Sequence, residues 1–272
     1  MHGVITNLVQ KDKKSVFSSK QPKANLADIV LTGTTQLQIN QIINEQENKH
    51  LLLKRGLYPK RKVLFYGAAG TGKTLGAEGV AHHLNKTLNS LNLEHLSATN
   101  PDDALNTIQI AFDIINQSND VYLFDEFDAI AGNRHAQTGQ THDRRISNAL
   151  LIAFENIKSN AILICATNFI ATIDPAFRRR FDTICKFELP MLEERKVLLA
   201  SVLAKYQMTA STDDIQSAAK ATENLSHHEV EGVALAAIKT ALLQDSTNVA
   251  LISEIPSALE RKNSFKKASD FE

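Results

Sequence analysis

Two cysteines among 272 residues cannot build a disulfide framework, and Cys165 and Cys185 both stand inside apolar runs (AILICAT and TICKFEL) where a thiol packs rather than reacts. A reducing, cytoplasmic setting is the expectation. Charge of one sign is missing too: 30 lysines and arginines balance 30 aspartates and glutamates, for a formal net charge of zero. Without a positive field over the whole molecule, a protein living mainly on nucleic acid is disfavoured. No apolar run approaches the roughly 18 residues of a membrane span. The opening MHGVITNLVQKDKK has neither the apolar centre nor the cleavage site of an export signal, so no membrane association is expected. Internal repeats and low-complexity tracts are absent as well. What remains, with 43% hydrophobic and 22% charged residues, is a soluble folded chain. Its length suits an α/β unit with a small appendage.

Residues 1–27 are polar and lysine-rich without periodicity and read as a loose N-terminal arm. Ile39, Ile42 and Ile43 then mark one face of a helix ahead of the linker KRGLYPKRK. Three short apolar runs, Val63–Gly67, Val121–Phe124 and Ala161–Thr167, fit buried parallel strands. Between them lie helical stripes: Ala77, Val80, Ala81 and Leu84; Leu105, Ile108, Phe112 and Ile115; Ile146, Leu150 and Phe154. Strands alternating with helices imply a parallel sheet covered on both faces. After Pro190 only helices are predicted, near 198–206, 215–221, 230–243 and 255–261, with caps at Thr212 and at the Ser226/Glu229 pair. The organisation expected is an arm (1–27), an αβα nucleotide-binding domain (28–190), a helical lid (191–262) and a flexible tail (263–272).

The strongest motif is Gly67-Ala68-Ala69-Gly70-Thr71-Gly72-Lys73-Thr74, set between a predicted strand and a predicted helix. Glycines at this spacing let backbone N–H groups turn inward around phosphate oxygens, and the helix that follows points its positive end at them. Lys73 supplies a charge to the β- and γ-phosphates, and Thr74 offers a hydroxyl to Mg²⁺. Asp125 and Glu126 emerge from an apolar strand 52 residues after Lys73, a costly placement unless something uses the carboxylates. Asp125 is expected to hold Mg²⁺ through water and Glu126 to activate the attacking water. Asp128 is equally a helix cap or a functional group. Asn168 ends the third strand, where a parallel sheet places its ligands, and is assigned to the γ-phosphate and the water.

GAAGTGKT, LFDEFDAI, ICATN and IDPAFRRRFD, in that order and followed by helices, resemble the AAA clade of the AAA+ ATPases across residues 28–261. The short arginine run is similar to stand-alone bacterial members of the sporulation-protein-K type. The resemblance implies a P-loop NTPase αβα sandwich with a small all-helical lid, ATP and Mg²⁺ as cofactors, ATP hydrolysis, and a ring, commonly hexameric, with ATP at subunit boundaries. It also implies that Leu75 lies beside the phosphate loop, that Ile29 lies at the adenine edge, and that Arg179 and Arg180 reach a neighbour's site. Three successive arginines, Arg178–Arg180, cannot all find partners cheaply in their own fold, and a neighbour's anion would satisfy them.

Two departures bear on function. The stretch SATNPDDAL, where threading members carry an aromatic, has none, and Asn100, Pro101 and Asp103 read there as a helix start. No arginine lies between Arg195 and Arg261, so an arginine of the lid aimed at nucleotide is missing; His227 and His228 begin the capped helix at that place and their role stays open. The leading expectation is a motor that remodels a protein partner. The alternative is an ATP-dependent switch that docks a partner enzyme without threading. A DNA-directed ATPase is a third reading that the zero net charge argues against.

Overall fold

The computed structural model describes residues 16–93, 100–132, 141–257 and 260. The chain divides into two compact units. The first takes in residues up to Ile29, Thr34–Gly67 and Lys73–Phe187; the second takes in Val30–Gly33, Ala68–Gly72 and the chain from Glu188 onward.

The first unit is built on a six-stranded sheet: β1 (Ser18–Lys20), β2 (Lys62–Tyr66), β3 (Leu88–Asn92), β4 (Val121–Asp125), β5 (Ile162–Thr167) and β6 (Thr183–Lys186), in the order β1-β3-β4-β5-β2-β6. All pairs are parallel except β1 with β3. Val63–Phe65, Val121–Phe124 and all of β5 are buried, as continuous apolar runs require in a sheet covered on both faces. The helices of this unit are α1 (Gly33–Glu47), α2 (Lys49–Leu53), α3 (Lys73–His83), α4 (Pro101–Asn116), α5 (Asp128–Ala131), α6 (Thr141–Glu155) and α7 (Pro175–Arg178).

Three strands escape a reading of periodicity. β1 is Ser-Ser-Lys, wholly exposed, and β3 reads Leu-Asn-Ser-Leu-Asn, with its leucines three residues apart and no alternation. β6 has only four residues. The expectation of a loose arm over residues 1–27 is corrected for its described part. Phe17 is buried against Tyr122 with ring centroids 4.9 Å apart, and the Ser19 hydroxyl donates to Asn89 Oδ1 (2.7 Å). One aromatic anchor and three backbone pairs fasten an edge strand whose composition carries no strand signal.

Phe112, Phe124, Phe127, Phe154, Phe177 and Phe181 form a packed aromatic cluster joining β4, α4, α5, α6 and α7, with centroid separations from 5.3 Å (Phe127–Phe177) to 6.4 Å (Phe124–Phe154). Each ring buried this way contributes about 1.5–3 kcal/mol. The cluster ties the end of β4, where the carboxylates stand, to the arginine-bearing α7. A backbone link repeats the tie, since Asp174 N–H donates to Ala131 O (2.9 Å). Both cysteines are buried, which pushes the Cys165 thiol far up and Cys185 to about 12, so neither is a thiolate near neutral pH.

The second unit is helical after Glu188: α8 (Leu192–Lys205), α9 (Thr212–Ala221) and α10 (His227–Leu243) pack around Leu199, Leu203, Val230, Val233 and Ala237. The cap of α9 lies one residue before the expected Thr212, because the Ser211 hydroxyl accepts the Asp214 N–H. The Ser226/Glu229 capping box forms as expected. Arg195, 6% exposed, holds this unit together by donating to Ala219 O and Pro190 O, both 2.7 Å. Residues 255–257 are helical, and the rest of the expected last helix, apart from Glu260, falls outside the described residues. Among the described residues no helix is long and apolar enough to cross a membrane.

Candidate functional site

In the first unit, β2, β4 and β5 run parallel and deliver Gly67, Asp125 and Asn168 to one edge of the sheet. Gly67 follows β2 with φ +153°, and a Cβ added there would stand 2.0 Å from Phe187 O, so no other residue fits. Lys73 opens α3 and is only 8% exposed. Its ammonium donates to Gly67 O and to Asn168 Oδ1, both 2.8 Å. Burial holds its pKa below the ordinary 10.5, opposed by the charges of Asp125 and Asp128. The Thr74 hydroxyl donates to Asp125 Oδ2 (2.9 Å), while Asp125 Oδ1 accepts the Glu126 N–H (3.1 Å).

Glu126 is exposed and has φ +52°, a left-handed backbone that non-glycine residues adopt at a cost. The turn is enforced by its neighbour: Phe127 is fully buried, and its N–H donates to Ala166 O (2.8 Å). Glu126 is thereby turned out at the strand end instead of into the core. Asp128 accepts the Thr167 hydroxyl (2.6 Å), and Thr167 Oγ1 accepts the Phe169 N–H (3.0 Å), bracketing Asn168. The open choice about Asp128 thus acquires a concrete content, because this carboxylate braces the strand end that carries Asn168.

In the second unit, the Thr71 hydroxyl donates to Ala68 O (2.8 Å), closing the turn of the loop. Gly70 has φ +73°, and an added Cβ would meet Ser226 Oγ at 2.7 Å. Gly70 O accepts the backbone N–H of His228 (3.1 Å). The start of α10 therefore holds the loop through main-chain atoms, a role that no side-chain pattern could announce. His227 is half-buried with both ring nitrogens sealed from solvent and without a partner among the described residues; burial lowers its pKa from 6.5. Ala68, Ala69 and Gly70, like Thr74 and Leu75 at the start of α3, are exposed.

Ile29 is 9% exposed and packs onto α3 where Gly79 leaves room, so its side chain is a packing group. Within the first unit, the arginines lie at the opposite end of the strands from Lys73 and Asp125. Asp182, two residues after Arg180, donates its N–H to Lys62 O (2.8 Å), at the amino end of β2. Lys73 and Asp125 belong to the carboxyl ends, and the length of β2 separates the two levels by roughly 13 Å. Arg180 is occupied within its own chain: it pairs with Glu155 and donates to Ala176 O (2.6 Å). Arg179 is exposed, and among the described residues neither it nor Arg178 forms an ion pair. Asn100 caps α4 by accepting the Asp102 N–H (3.1 Å), with Pro101 first in the helix; the preceding SAT of SATNPDDAL lies outside the described residues.

The model for the ATPase family associated with various cellular activities matches residues 63–189, from β2 to just past β6. An uncharacterised AAA family ATPase of Sinorhizobium fredii is 30% identical over 82% of this chain and 67% of its own length. The chain belongs to the AAA family of ATPases. It is similar as well to proteasome-activating nucleotidases of Aeropyrum pernix (28% identity over 92% of this chain and 64% of that one) and Methanosarcina mazei (31% over 76% and 50%). The chain spans between half and two thirds of the length of these relatives. Family membership makes this an ATP-binding ATPase domain. The narrower likeness to the sporulation-protein-K type stays an expectation from the arginine run.

The residues present fit a magnesium nucleotide. A hydroxyl and a carboxylate held 2.9 Å apart are hard oxygen donors, and the buried ammonium beside them is a cation that a phosphate could meet. Among the described residues no cluster of three His, Cys, Asp or Glu exists that could hold a metal alone.

Proposed function

We propose that this AAA ATPase binds ATP with Mg²⁺ and hydrolyses it in a ring of identical copies, hexameric by family likeness, to remodel a protein partner. Thr74 and, through water, Asp125 would hold the ion, which when bound neutralises charge on the phosphate oxygens. Lys73 meets the β- and γ-phosphates, with Gly67 to Gly72 offering backbone N–H groups to the same oxygens. Asn168 positions the attacking water, and Glu126 takes its proton. Leu75 and the backbone around Ile29 flank the nucleotide.

The observation that carries the ring is the level of the arginines. They stand at the amino ends of the strands, whereas the phosphate residues of the same unit stand at the carboxyl ends. That separation supports a role for Arg179 and Arg180 toward another copy's phosphate, with Arg180 first released from Glu155. Relatives named proteasome-activating nucleotidases support a protein partner. The lack of an aromatic in SATNPDDAL supports the second reading, an ATP-dependent switch that docks its partner without threading.

The test mixes two inactive proteins, Glu126→Gln and the Arg179→Ala/Arg180→Ala double variant. An interface between a Glu126→Gln subunit donating arginines and a double-variant subunit retaining Glu126 has a complete site, so activity returns on mixing. Specific activity also rises with protein concentration, because assembly is a mass-action step. No recovery, together with wild-type turnover in demonstrably monomeric protein, would place the arginines in their own chain.

A further inference from the structure

Three acids stand where β4 ends, and hydrolysis as proposed occupies only Asp125 and Glu126. The third, Asp128, opens the four-residue α5, but its carboxylate reaches out of that helix to another strand. Asp128 Oδ1 accepts the Thr167 hydroxyl at 2.6 Å, a contact between residues 39 apart in the chain. Thr167 is the last residue of β5 and 1% exposed. A hydroxyl has one hydrogen to give and two lone pairs to offer. Here the hydrogen goes to Asp128, and Oγ1 accepts the Phe169 N–H at 3.0 Å.

The backbone of Thr167 is held from the other side, where its carbonyl accepts the Gly67 N–H (3.4 Å). β5 lies between β4 and β2 in the sheet, so Thr167 is fastened to the chain leaving each neighbouring strand. The brace is anchored at its far end too. Gly132 bridges to Ile173, the Asp174 N–H donates to Ala131 O (2.9 Å), and a Cβ added at Gly132 would stand 2.8 Å from Asp128 O. Residues 128–132 and 167–174 therefore run side by side, tied at both ends. Between the ties lies Asn168, an exposed residue whose Oδ1 accepts from Lys73. An exposed side chain turns among its staggered wells, so its aim depends on the backbone from which it leaves.

We propose that Asp128 and Thr167 are positioning residues for hydrolysis: the hydrogen-bond chain from Asp128 through Thr167 to Phe169 fixes the turn that aims Asn168. The pair acts only through Asn168, so it rests on the role proposed for that residue toward the attacking water. A carboxylate suits the task better than a neutral acceptor, because a hydroxyl bonded to an ionised oxygen makes a shorter bond of about twice the strength. With its hydrogen held by Asp128, the hydroxyl keeps a lone pair turned to the Phe169 N–H. A group that orients a reactant and is displaced by about 1 Å can lose ~10² in rate. Neither Asp128 nor Thr167 is assigned a contact with nucleotide, so the pair governs turnover and not ATP affinity.

The test compares Thr167→Val, Thr167→Ser, Asp128→Asn and Asn168→Ala in the full chain, with Thr167→Val and Asp128→Asn each also combined with Asn168→Ala. Valine keeps the branching of the buried residue and removes its hydroxyl. Phosphate release gives kcat, and calorimetry with a non-hydrolysed ATP analogue gives affinity and the number of sites. Thr167→Val should lower kcat per site by about 10- to 100-fold with analogue affinity within about threefold of wild type. Asp128→Asn should fall between it and the wild type, since the amide keeps an acceptor without the charge. Thr167→Ser, which restores the hydroxyl, should recover most of the loss. In the Asn168→Ala background either change should cost less than about threefold more, because the residue it acts through is gone. A purely structural role would lower the unfolding midpoint or the number of sites, and its effect would add in full to Asn168→Ala. If Thr167→Val does not fold, Asp128→Asn at the half-buried carboxylate carries the same comparison. Wild-type kcat per site in the folded variants, no rescue by serine, or full additivity with Asn168→Ala would overturn the positioning role and leave Asn168 in place. Wild-type turnover in Asn168→Ala would instead remove Asn168 from the chemistry, and this pair with it.

Discussion

Replacing Lys73 by alanine separates what this residue does for ATP from what it does for the fold. Lys73 is 8% exposed, and its ammonium makes two charge-assisted contacts, to Gly67 O and Asn168 Oδ1. Contacts of a charged group to a ligand are each worth about 1.5–3 kcal/mol, so losing the phosphate contact should weaken ATP by roughly 10- to 150-fold. Without nucleotide the balance differs. The two internal contacts are lost, but so is the burial cost of the ammonium, whose presence is visible in the lowered pKa. The unfolding midpoint of Lys73→Ala without ATP should therefore lie close to the wild type. At a concentration 100 times the wild-type Kd, ATP stabilises by about 2.7 kcal/mol, and a tenfold weaker site retains about 1.4 kcal/mol. Thermal melts with and without ATP should accordingly show the ATP-dependent upshift reduced by about half or more. An undiminished upshift in Lys73→Ala would refute the phosphate assignment, and a collapsed melt without ATP would show that Lys73 is first a structural residue.

Glu126→Gln keeps the shape of the side chain but cannot take up a proton; turnover measured by phosphate release should fall by about 10²–10⁴, with ATP affinity by calorimetry within a factor of about three. Wild-type turnover would mean another base. Gly67→Ala should cost about 3 kcal/mol or more of stability in urea unfolding, since its Cβ would lie 2.0 Å from Phe187 O at a φ of +153°; a midpoint like the wild type would contradict that close approach. Burial lowers the His227 pKa below 6.5, so as pH falls through 6.5 the unfolded chain binds a proton that the folded chain still refuses. Stability is complete above that pH and declines beneath it, and the decline between pH 7 and 5.5 should be shallower in His227→Gln. Identical slopes would assign the acid sensitivity to other groups.

How much of this was legible follows from the range of each interaction. The phosphate loop, its lysine, the carboxylate pair and the strand-ending asparagine are local patterns, because a backbone cradle needs glycines at fixed spacing and a buried strand that ends in acids announces itself. The core stripes of α3, α4 and α6 were legible for the same reason, as were the caps at Asn100 and Ser226. β1 and β3 were not, since Ser-Ser-Lys becomes a strand only when Phe17 finds Tyr122 and Asn89 finds Ser19, contacts about seventy to a hundred residues distant along the chain.

Chain order alone could place three arginines before Phe181, and only the tertiary structure could sort them. Pairing of β6 with β2 sets Arg178–Arg180 at the sheet edge opposite Lys73, and the end of α6 brings Glu155 to Arg180. The left-handed turn at Glu126, the main-chain bond from His228 to Gly70 and the exposed leucines of α2 belong to the same class. The sequence by itself determined which groups can do chemistry, because residue type and short spacing carry that information. Which of those groups are engaged internally, turned outward or left uncovered was decided by packing between segments distant in sequence, where no local pattern reaches.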